Sequence, residues 1–277
     1  MEKTLTAGLH IVATPIGNLG DLSPRAAETL RNAQAILVED TRVTAKLLQH
    51  IGARVPMIRY DDHSSEAERN RILARLGSEA IALVSDAGTP LVSDPGYKLV
   101  RAARAAGHAV HTVPGPSALI AALTLAGLPT DRFLFVGFLP AKAKARSESI
   151  AEIAGIRATL IFYESGPRLG DSLAALAKQL GEREAAVARE ISKLHEECVT
   201  GKLDELASRY ADTPPKGEIV IVVGPPSTPA EASPEDLDAA LDEALGRLSP
   251  SRAAAEVAEK LGVPRKRAYA RALERSR

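Results

Sequence analysis

The sequence has little of what a disulfide-rich, metal-bound or membrane-spanning protein requires. Its 277 residues include a single cysteine, no tryptophan and only 3% aromatic residues. One cysteine, Cys198, excludes an internal disulfide framework and a multi-cysteine metal site, and it favours a reducing compartment. The six histidines show no metal-ligand spacing, so no metal site is predicted. No apolar run approaches the roughly 18 residues that span a bilayer, and no signal-peptide pattern opens the chain. We therefore predict a soluble cytoplasmic protein with no membrane attachment.

An excess of charge is also missing, because 35 basic side chains offset 35 acidic ones. This balance gives the whole chain no general attraction to a polyanion, but the charges are unevenly distributed. Residues 251–277 carry eight lysines and arginines against three glutamates. The C-terminal segment is therefore the part predicted to contact an anionic partner.

One stretch organises the rest of the sequence: Ala80–Gly96, AIALVSDAGTPLVSDPG. It begins as a short apolar run typical of a buried strand and breaks abruptly into the small, turn-forming residues Ser85–Pro90. It carries neither phosphate-binding pattern, GxxxxGK[ST] or GxGxxG. Loops at the carboxyl ends of strands are where open α/β sheets usually bind ligands. We predict a ligand site here for something other than a nucleotide phosphate.

Strand-like and helix-like segments alternate along the chain and predict an α/β fold with two domains, over residues 1–116 and 117–226. In the first domain the alternation predicts a parallel, doubly wound sheet. Its strands are predicted at residues 9–14, 35–38, 57–60, 80–84 and 109–113.

The second domain is predicted to contain a mixed sheet, because residues 198–202 fit a hairpin strand. Its other strands are predicted at residues 133–139, 159–163, 186–191 and 219–223. Helices are predicted near 117–127, 147–154 and 167–180, and residues 141–146 (AKAKAR) are predicted to form a basic loop.

A proline-rich linker, residues 225–232, separates these domains from a helical appendage over residues 234–277. An acidic amphipathic helix (234–248) is followed by a helix, a turn at Gly262 and a second helix from Pro264, which is the outline of a helix-turn-helix. The side chains predicted to contact nucleic-acid phosphates are Lys260, Arg265, Lys266, Arg267 and Arg271. The alternative is a solvated helix face, or one that packs on a partner subunit.

Seven short motifs at the predicted strand ends resemble those of one enzyme family. In order they are TPIGNLGD, VEDTR, SDAGTPLVSDPG, VPGPSA, VGFLP, FYESGPR and KGEIVIVVG. The ordered set is similar to the tetrapyrrole-methylase superfamily of S-adenosylmethionine-dependent methyltransferases. Within it, the combination resembles the branch that methylates a cytidine ribose 2′-oxygen in the decoding region of small-subunit (16S) rRNA. The resemblance implies S-adenosylmethionine in a cleft between two α/β domains, a homodimer, and rRNA or the assembled small subunit as partner.

The resemblance also implies a set of cofactor contacts at matching positions. They are Pro15, Asp86, Gly88, Thr89, Val92, Ser117, Ala118, Tyr163, Gly217, Glu218 and Ile219. Thr89 departs from the tetrapyrrole enzymes, which carry an aspartate before the proline. The alternative for the loop around Asp86 is a tight turn without a ligand, and for Tyr163 a place in the core.

Methyl transfer to a ribose hydroxyl benefits from a carboxylate that accepts its proton, because a neutral hydroxyl is a poor nucleophile. The candidates at strand ends are Asp21, Glu39, Asp40 and Glu164. Asp40 and Arg42 are predicted to handle the substrate. Their structural alternative is that Asp40 caps the following helix and Arg42 pairs with a neighbouring carboxylate.

Two other functions remain open at this point. A methyltransferase for a tetrapyrrole or corrin would use the same cleft, but a small substrate needs no cationic appendage. A non-enzymatic nucleic-acid regulator would use the helix-turn-helix, but it would leave the loop-rich α/β region without a purpose.

Overall fold

The structure is a computed structural model, and it describes residues 5–61, 63–226 and 233–276. The chain divides into two compact units, residues 1–225 and 226–277. The first unit contains both β-sheets. Among the described residues no helix is long and apolar enough to cross a membrane. Of the predicted linker, residues 227–232 lie outside the described residues.

The first sheet and its helices occupy residues 8–113. The strands are β1 (Gly8–Val12), β2 (Ala35–Val38), β3 (Met57–Arg59), β4 (Ala80–Leu83) and β5 (Val110–Val113). The helices are α1 (Pro24–Asn32), α2 (Thr41–His50), α3 (Glu66–Leu76) and α4 (Tyr97–Ala105), with a short 3-10 turn at Leu19–Asp21.

All five strands run parallel in the order β3-β2-β4-β1-β5. One face packs against α1 and α2 through residues such as Leu30 and Leu47, and the other packs against α3 and α4 through Leu76 and Leu99. Helices on both faces explain why β2 and β4 are fully buried, apolar strands without alternation. The predicted parallel, doubly wound sheet is confirmed.

The second sheet and its helices occupy residues 118–223. The strands are β6 (Phe133–Phe138), β7 (Thr159–Ser165), β8 (Glu184–Arg189), β9 (Glu197–Lys202) and β10 (Glu218–Val223). The helices are α5 (Ala118–Leu125), α6 (Ala143–Ile153), α7 (Gly166–Leu180) and α8 (Leu203–Arg209).

This sheet has the order β6-β7-β10-β8-β9 and is mixed, as predicted. Strands β6 and β7 are parallel, whereas β10, β8 and β9 pair antiparallel. Helix α5 covers one face, where Ile16 and Val92 from the first half of the chain also pack. The two halves of the unit therefore meet on the α5 side of this sheet.

Two predicted elements of the second half are wrong, and one helix was missed. The loop expected at 141–146 contains the start of α6, because alanine and lysine have high helix propensity. The sequence did not indicate this helix because residues 141–146 have no apolar stripe. The strand expected at 186–191 ends at Arg189, since Glu190 takes a left-handed backbone conformation with φ of 51°. Helix α8 was not predicted because it follows β9 without an intervening glycine or proline.

The second unit consists of α9 (Pro234–Leu245), α10 (Pro250–Leu261) and α11 (Arg265–Arg275). Helix α9 ends three residues before the predicted boundary at Leu248. Gly262 ends α10 in the left-handed conformation, which a glycine adopts without steric cost. Leu241, Val257 and Ala268 help to form a core shared by the three helices, so the helix–turn–helix outline is confirmed.

A close backbone approach explains the glycine of the YESGPR motif. A Cβ atom at Gly166, the first residue of α7, would lie 1.7 Å from the carbonyl oxygen of Pro215. The loop before β10 therefore reaches the start of α7 only because residue 166 has no side chain.

We predict that Gly166→Ala destabilises the protein by at least about 3 kcal/mol, the upper end of the usual cost of overpacking, because the clash involves backbone. Urea unfolding measures this difference. Gly155→Ala is the matched control, since a Cβ there meets nothing within 4 Å. Equal stability of the two variants would contradict the close approach.

Candidate functional site

The loop Ser85–Thr89, directly after β4, joins three other loops of the first unit. The backbone N–H groups and carbonyls of Thr14 and Gly88 bond reciprocally, at 2.9 and 3.2 Å. The carboxylate of Asp86 accepts from the backbone N–H of Asp40 at 3.1 Å. The Thr89 hydroxyl donates to the carbonyl of Pro116 at 2.9 Å. The loops after β1, β2 and β5 are thus fixed to the loop after β4.

Beside this loop lies a cavity of about 450 Å³ between the two halves of the first unit. Small-molecule pockets have volumes of roughly 300–1,000 Å³. The cavity wall includes residues of the loop after β4, the start of α5, the ends of β6 and β7, and the start of β10. The predicted ligand site at the carboxyl end of β4 therefore coincides with a real cavity.

Ten of the eleven residues predicted to contact the cofactor line this cavity. They are Asp86, Gly88, Thr89, Val92, Ser117, Ala118, Tyr163, Gly217, Glu218 and Ile219. Pro15 is absent from the lining, although its neighbour Ile16 is present. The residues come together as predicted, and their roles in binding stay predictions.

Tyr163 is half-buried at the cavity wall. Its ring lies edge-on to Phe135 and Phe138, with centroid distances of 4.8 and 5.7 Å. Burial raises the pKa of the Tyr163 hydroxyl, against a hydrogen bond with the backbone of Leu119 at the start of α5. The tyrosine is therefore both part of the core and part of the wall.

The cavity wall is strongly acidic. Its carboxylates are Glu39, Asp86, Asp94, Glu164, Glu190 and Glu218, and Lys193 is the one cation that the described residues contribute to it. The Lys193 ammonium group pairs with Glu190 at 3.0 Å. The wall therefore favours a ligand with a positive charge, because cations are attracted to a concave surface lined by carboxylates.

Asp94 is the most perturbed of these carboxylates. Burial raises its pKa to about 6, a hydrogen bond from Ser85 lowers it, and the charges of Glu39, Asp86 and Glu218 raise it further. A carboxyl with this pKa takes up a proton as the pH falls through about 6, and such perturbed groups are common at functional sites. Sequence reasoning missed Asp94, although it stands in the SDPG part of the central motif.

Backbone strain is concentrated in two loops at this cavity. Among the described residues, the non-glycine residues with positive φ are Leu91, Ser93, Glu190 and Ser192. Ser93 and Glu190 line the cavity, and the other two are within two positions of them. Such conformations cost energy and tend to persist at ligand sites.

A glycine is favoured at position 217 because the backbone there has a positive φ. Gly217 has φ of 97°, and a Cβ would lie 2.3 Å from a carboxylate oxygen of Glu190. This contact brings the start of β10 against the strained loop at 190–192, so both contribute to one wall.

Asp40 and Arg42 make the contacts of their structural alternative. Asp40 is the N-cap of α2, and its carboxylate accepts from the Arg42 backbone N–H at 2.8 Å. The Arg42 guanidinium forms a bidentate ion pair with the same carboxylate and holds the pKa of Asp40 to about 2. Neither residue is part of the cavity wall. These contacts favour a capping role, and substrate handling stays a prediction.

The other predicted carboxylates are divided between structural and cavity positions. Glu164 is buried, and its two oxygens accept from the Ser165 N–H at 2.9 Å and the Ser172 hydroxyl at 2.6 Å. Asp21 accepts from the hydroxyl of Ser192 and lies outside the wall. Glu39 lies on the wall, as Glu164 does. Two of the three remaining carboxylates are therefore at the cavity.

The predicted nucleic-acid contacts belong to the second unit. Arg271 is engaged within it, because its guanidinium pairs with Asp238 at 2.6 Å and with Glu274 at 2.7 Å. The ammonium group of Lys260 is 3.8 Å from Glu243. Arg265 and Lys266 are exposed in the first turn of α11, as is Arg267. Phosphate contact by these residues stays a prediction.

Two family models match the chain. The model described as Tetrapyrrole (Corrin/Porphyrin) Methylases matches residues 8–207, and the model described as RsmI C-terminal HTH domain matches residues 231–276. The two matches correspond to the two compact units of the structure.

Curated relatives match over nearly the whole length. The ribosomal RNA small subunit methyltransferase I of Erythrobacter litoralis is 57% identical, with 98% of this chain and 96% of the relative covered. The protein of the same name from Escherichia coli O157:H7 is 44% identical, with 96% and 94% covered.

Solved structures share the fold at low identity. A diphthine synthase has a TM-score of 0.61 at 18% identity, with 78% of this chain and 90% of that chain covered. The uroporphyrin-III C-methyl transferase of Thermus thermophilus, complexed with S-adenyl homocysteine, has a TM-score of 0.54 at 22% identity, with 78% and 97% covered.

We predict that Asp94→Asn stabilises the ligand-free protein at pH 7.5. The folded-state pKa of about 6 exceeds that of the unfolded chain, so the carboxyl contributes stability below about pH 4, and this contribution is lost as the pH rises through 6. The advantage of asparagine should shrink as the pH falls toward 4. Urea unfolding across this range tests it, with exposed Asp212→Asn as the control. A pH-independent difference would contradict the coupling.

Proposed function

Because the chain belongs to the tetrapyrrole (corrin/porphyrin) methylase family, we propose that its cavity binds S-adenosylmethionine and that it methylates small-subunit (16S) rRNA. The observation that carries this proposal is the 57% identity to an rRNA methyltransferase over 98% of the chain, which includes the C-terminal helices. The match to the solved uroporphyrin-III C-methyl transferase, by contrast, covers 78% of this chain. A tetrapyrrole substrate would leave the second unit without a role.

We propose further that the methyl acceptor is the ribose 2′-oxygen of a cytidine in the decoding region. Support for this finer assignment comes from the resemblance of the ordered loop motifs to that branch of the family. A ribose hydroxyl and a base edge are small, mostly neutral groups that an acidic cavity accommodates more readily than a phosphate.

The residues of the cavity fit the proposed cofactor. S-adenosylmethionine, when bound, supplies a methyl group on a cationic sulfonium. The acidic wall favours such a cation, and Gly88 leaves backbone accessible in the loop after β4. The residues proposed to hold it are the lining residues predicted from the motifs, chiefly Asp86, Thr89 and Tyr163.

Asp94 is the group that we propose accepts the proton from the ribose hydroxyl. With S-adenosylmethionine bound, its sulfonium would supply the methyl group to the ribose oxygen, and the Asp94 carboxylate would take up the proton that this hydroxyl gives up. Its raised pKa makes it a stronger base than an ordinary aspartate. Glu39 is the second candidate on the wall, whereas catalytic roles for Asp21, Asp40 and Arg42 stay predictions.

The second unit is proposed to contact rRNA phosphates through its exposed basic residues. Arg265 and Lys266 are best placed for this, because Arg271 is paired with Asp238. The homodimer and the cytoplasmic location predicted from the sequence stay predictions.

The direct test of the proposed function is mass spectrometry of small-subunit rRNA from cells with and without this protein. We expect the loss of one ribose methyl group on a decoding-region cytidine, restored when the gene is returned. Purified protein should transfer methyl groups to small subunits or their rRNA and leave tetrapyrrole precursors unmodified. Unchanged rRNA, or methylated tetrapyrrole, would refute the proposal.

Asp94→Asn should lower the rate of methyl transfer by roughly 10²–10⁴-fold, the usual contribution of a positioned base. In the wild type the rate should fall as the pH drops through about 6, because a protonated carboxyl accepts no proton. A bound cationic cofactor would lower the pKa of Asp94, so this fall in rate would then occur at lower pH. Calorimetry of cofactor binding distinguishes a role of Asp94 as proton acceptor from a role in holding the cofactor. A variant with wild-type rate would exclude Asp94.

A further inference from the structure

The segment Phe138–Arg146, FLPAKAKAR, lies beside the cavity and has no role in the proposed chemistry. It contains two lysines and an arginine without any acidic residue. It begins at Phe138 on the cavity wall and continues into the first turn of α6. A basic segment thus borders an acidic cavity.

A β-bulge sets the direction of Phe138. The register of β6 with β7 shifts between Phe135 and Gly137, where Gly137 has φ of 80°. After the shift Phe138 pairs with Tyr163, and both line the cavity. Bulges next to functional sites commonly redirect a side chain in this way. Phe138 is nevertheless 55% exposed, in a chain with only four phenylalanines.

Two arginines hold the backbone of the segment in place. Arg168 of α7 donates to the carbonyl of Leu139, and its Nε is 3.4 Å from the buried Glu164 carboxylate. Arg146 is only 8% exposed and donates to the carbonyl of Ala141 at 3.4 Å. Hydrogen bonds from these two arginines therefore fix the backbone of the segment next to the cavity wall.

The two lysines, by contrast, are directed to solvent. Lys142 is exposed and makes no ion pair within the described part of the chain. The Lys144 side chain is 90% exposed, and its ammonium group is 3.9 Å from Glu148, too distant and solvated for a strong pair. No side chain caps the first turn of α6, and this turn has no acidic residue. Both features favour an anion at this place.

We propose that this segment is the rRNA contact surface of the first unit: Phe138 stacks on a base at or beside the target nucleotide, and Lys142 and Lys144 contact flanking phosphates. The inference rests on the proposed function. The carboxylates of the wall repel phosphates, so the backbone of an incoming strand stays on the basic rim while one nucleoside enters. Single-stranded RNA is typically bound by this combination of aromatic and cationic side chains.

The spacing within the segment suits neighbouring nucleotides. Lys142 is four residues after Phe138, so their Cα atoms are at most about 14 Å apart. A stacked base and a phosphate one or two nucleotides away fit within that reach. The surface thereby selects an unpaired strand, because a base within a duplex has no free face for the ring.

The test of the two lysines compares Lys142→Ala/Lys144→Ala with the control Lys46→Ala/Lys178→Ala, which removes two exposed lysines elsewhere. Binding of a labelled single-stranded RNA with the decoding-region sequence is measured by anisotropy across a salt series, with full-length protein. The slope of log affinity against log salt should fall in magnitude by about 1.4, or 0.7 per lost phosphate contact. Affinity for S-adenosylmethionine should not change.

The test of the aromatic side chain is Phe138→Ala with Phe138→Trp as the conservative variant. Alanine should weaken RNA binding between about fivefold and 150-fold, without changing the salt slope, because stacking releases no counterions. Tryptophan should retain binding.

Three outcomes overturn the inference. They are lysine variants whose salt slope equals that of the control pair, a wild type that does not bind the RNA, and a Phe138→Ala variant with normal RNA affinity. If that variant also has an altered mass in sedimentation, the surface is an interface between copies. If the wild-type protein methylates rRNA and the variants bind RNA normally, only the proposed contact surface is refuted. Protein that methylates no rRNA refutes the proposed function itself.

Discussion

The reciprocal backbone hydrogen bonds between Thr14 and Gly88 are the interaction on which the site depends. They join the loops after β1 and β4, and the same short loop is bonded to Asp40 and Pro116. The Thr14–Gly88 pair is bonded through backbone alone, whereas the contacts to Asp40 and Pro116 use the side chains of Asp86 and Thr89. Gly88 is required for this arrangement, because it has φ of 84° and a Cβ there would lie 3.1 Å from Ile16.

In the first unit, acidic and basic side chains are separated, and the acidic ones lie where several strand ends meet. Carboxylates from five separate segments meet at the cavity, whereas the nearby lysines lie on the rim at α6. This division allows one surface to attract a polyanion and the adjoining cavity to attract a cation. A methyltransferase that joins a sulfonium donor to an RNA acceptor needs both kinds of surface. The burial and mutual repulsion that perturb Asp94 are a consequence of the same crowding.

Much of the fold was predictable because its periodicities are strong. The apolar strand β2 has its predicted bounds, β4 begins at the predicted residue and ends one residue early, and α9 begins at the predicted proline. The predictions fail where local sequence is ambiguous. The start of α6 has no apolar stripe, and β8 ends because of a left-handed residue, Glu190, that nothing in its identity reveals.

The sequence by itself determined the alternation of strands and helices, the membership of the family and most of the residues around the cavity, because these depend on local patterns and ordered motifs. Tertiary structure alone decided which carboxylates line the cavity. Asp40 is occupied as a helix cap away from the wall, and Glu164 is on the wall but buried and hydrogen-bonded, whereas Asp94 lies on the wall among other charges. Contacts between distant segments set these roles, and residue type alone does not encode them.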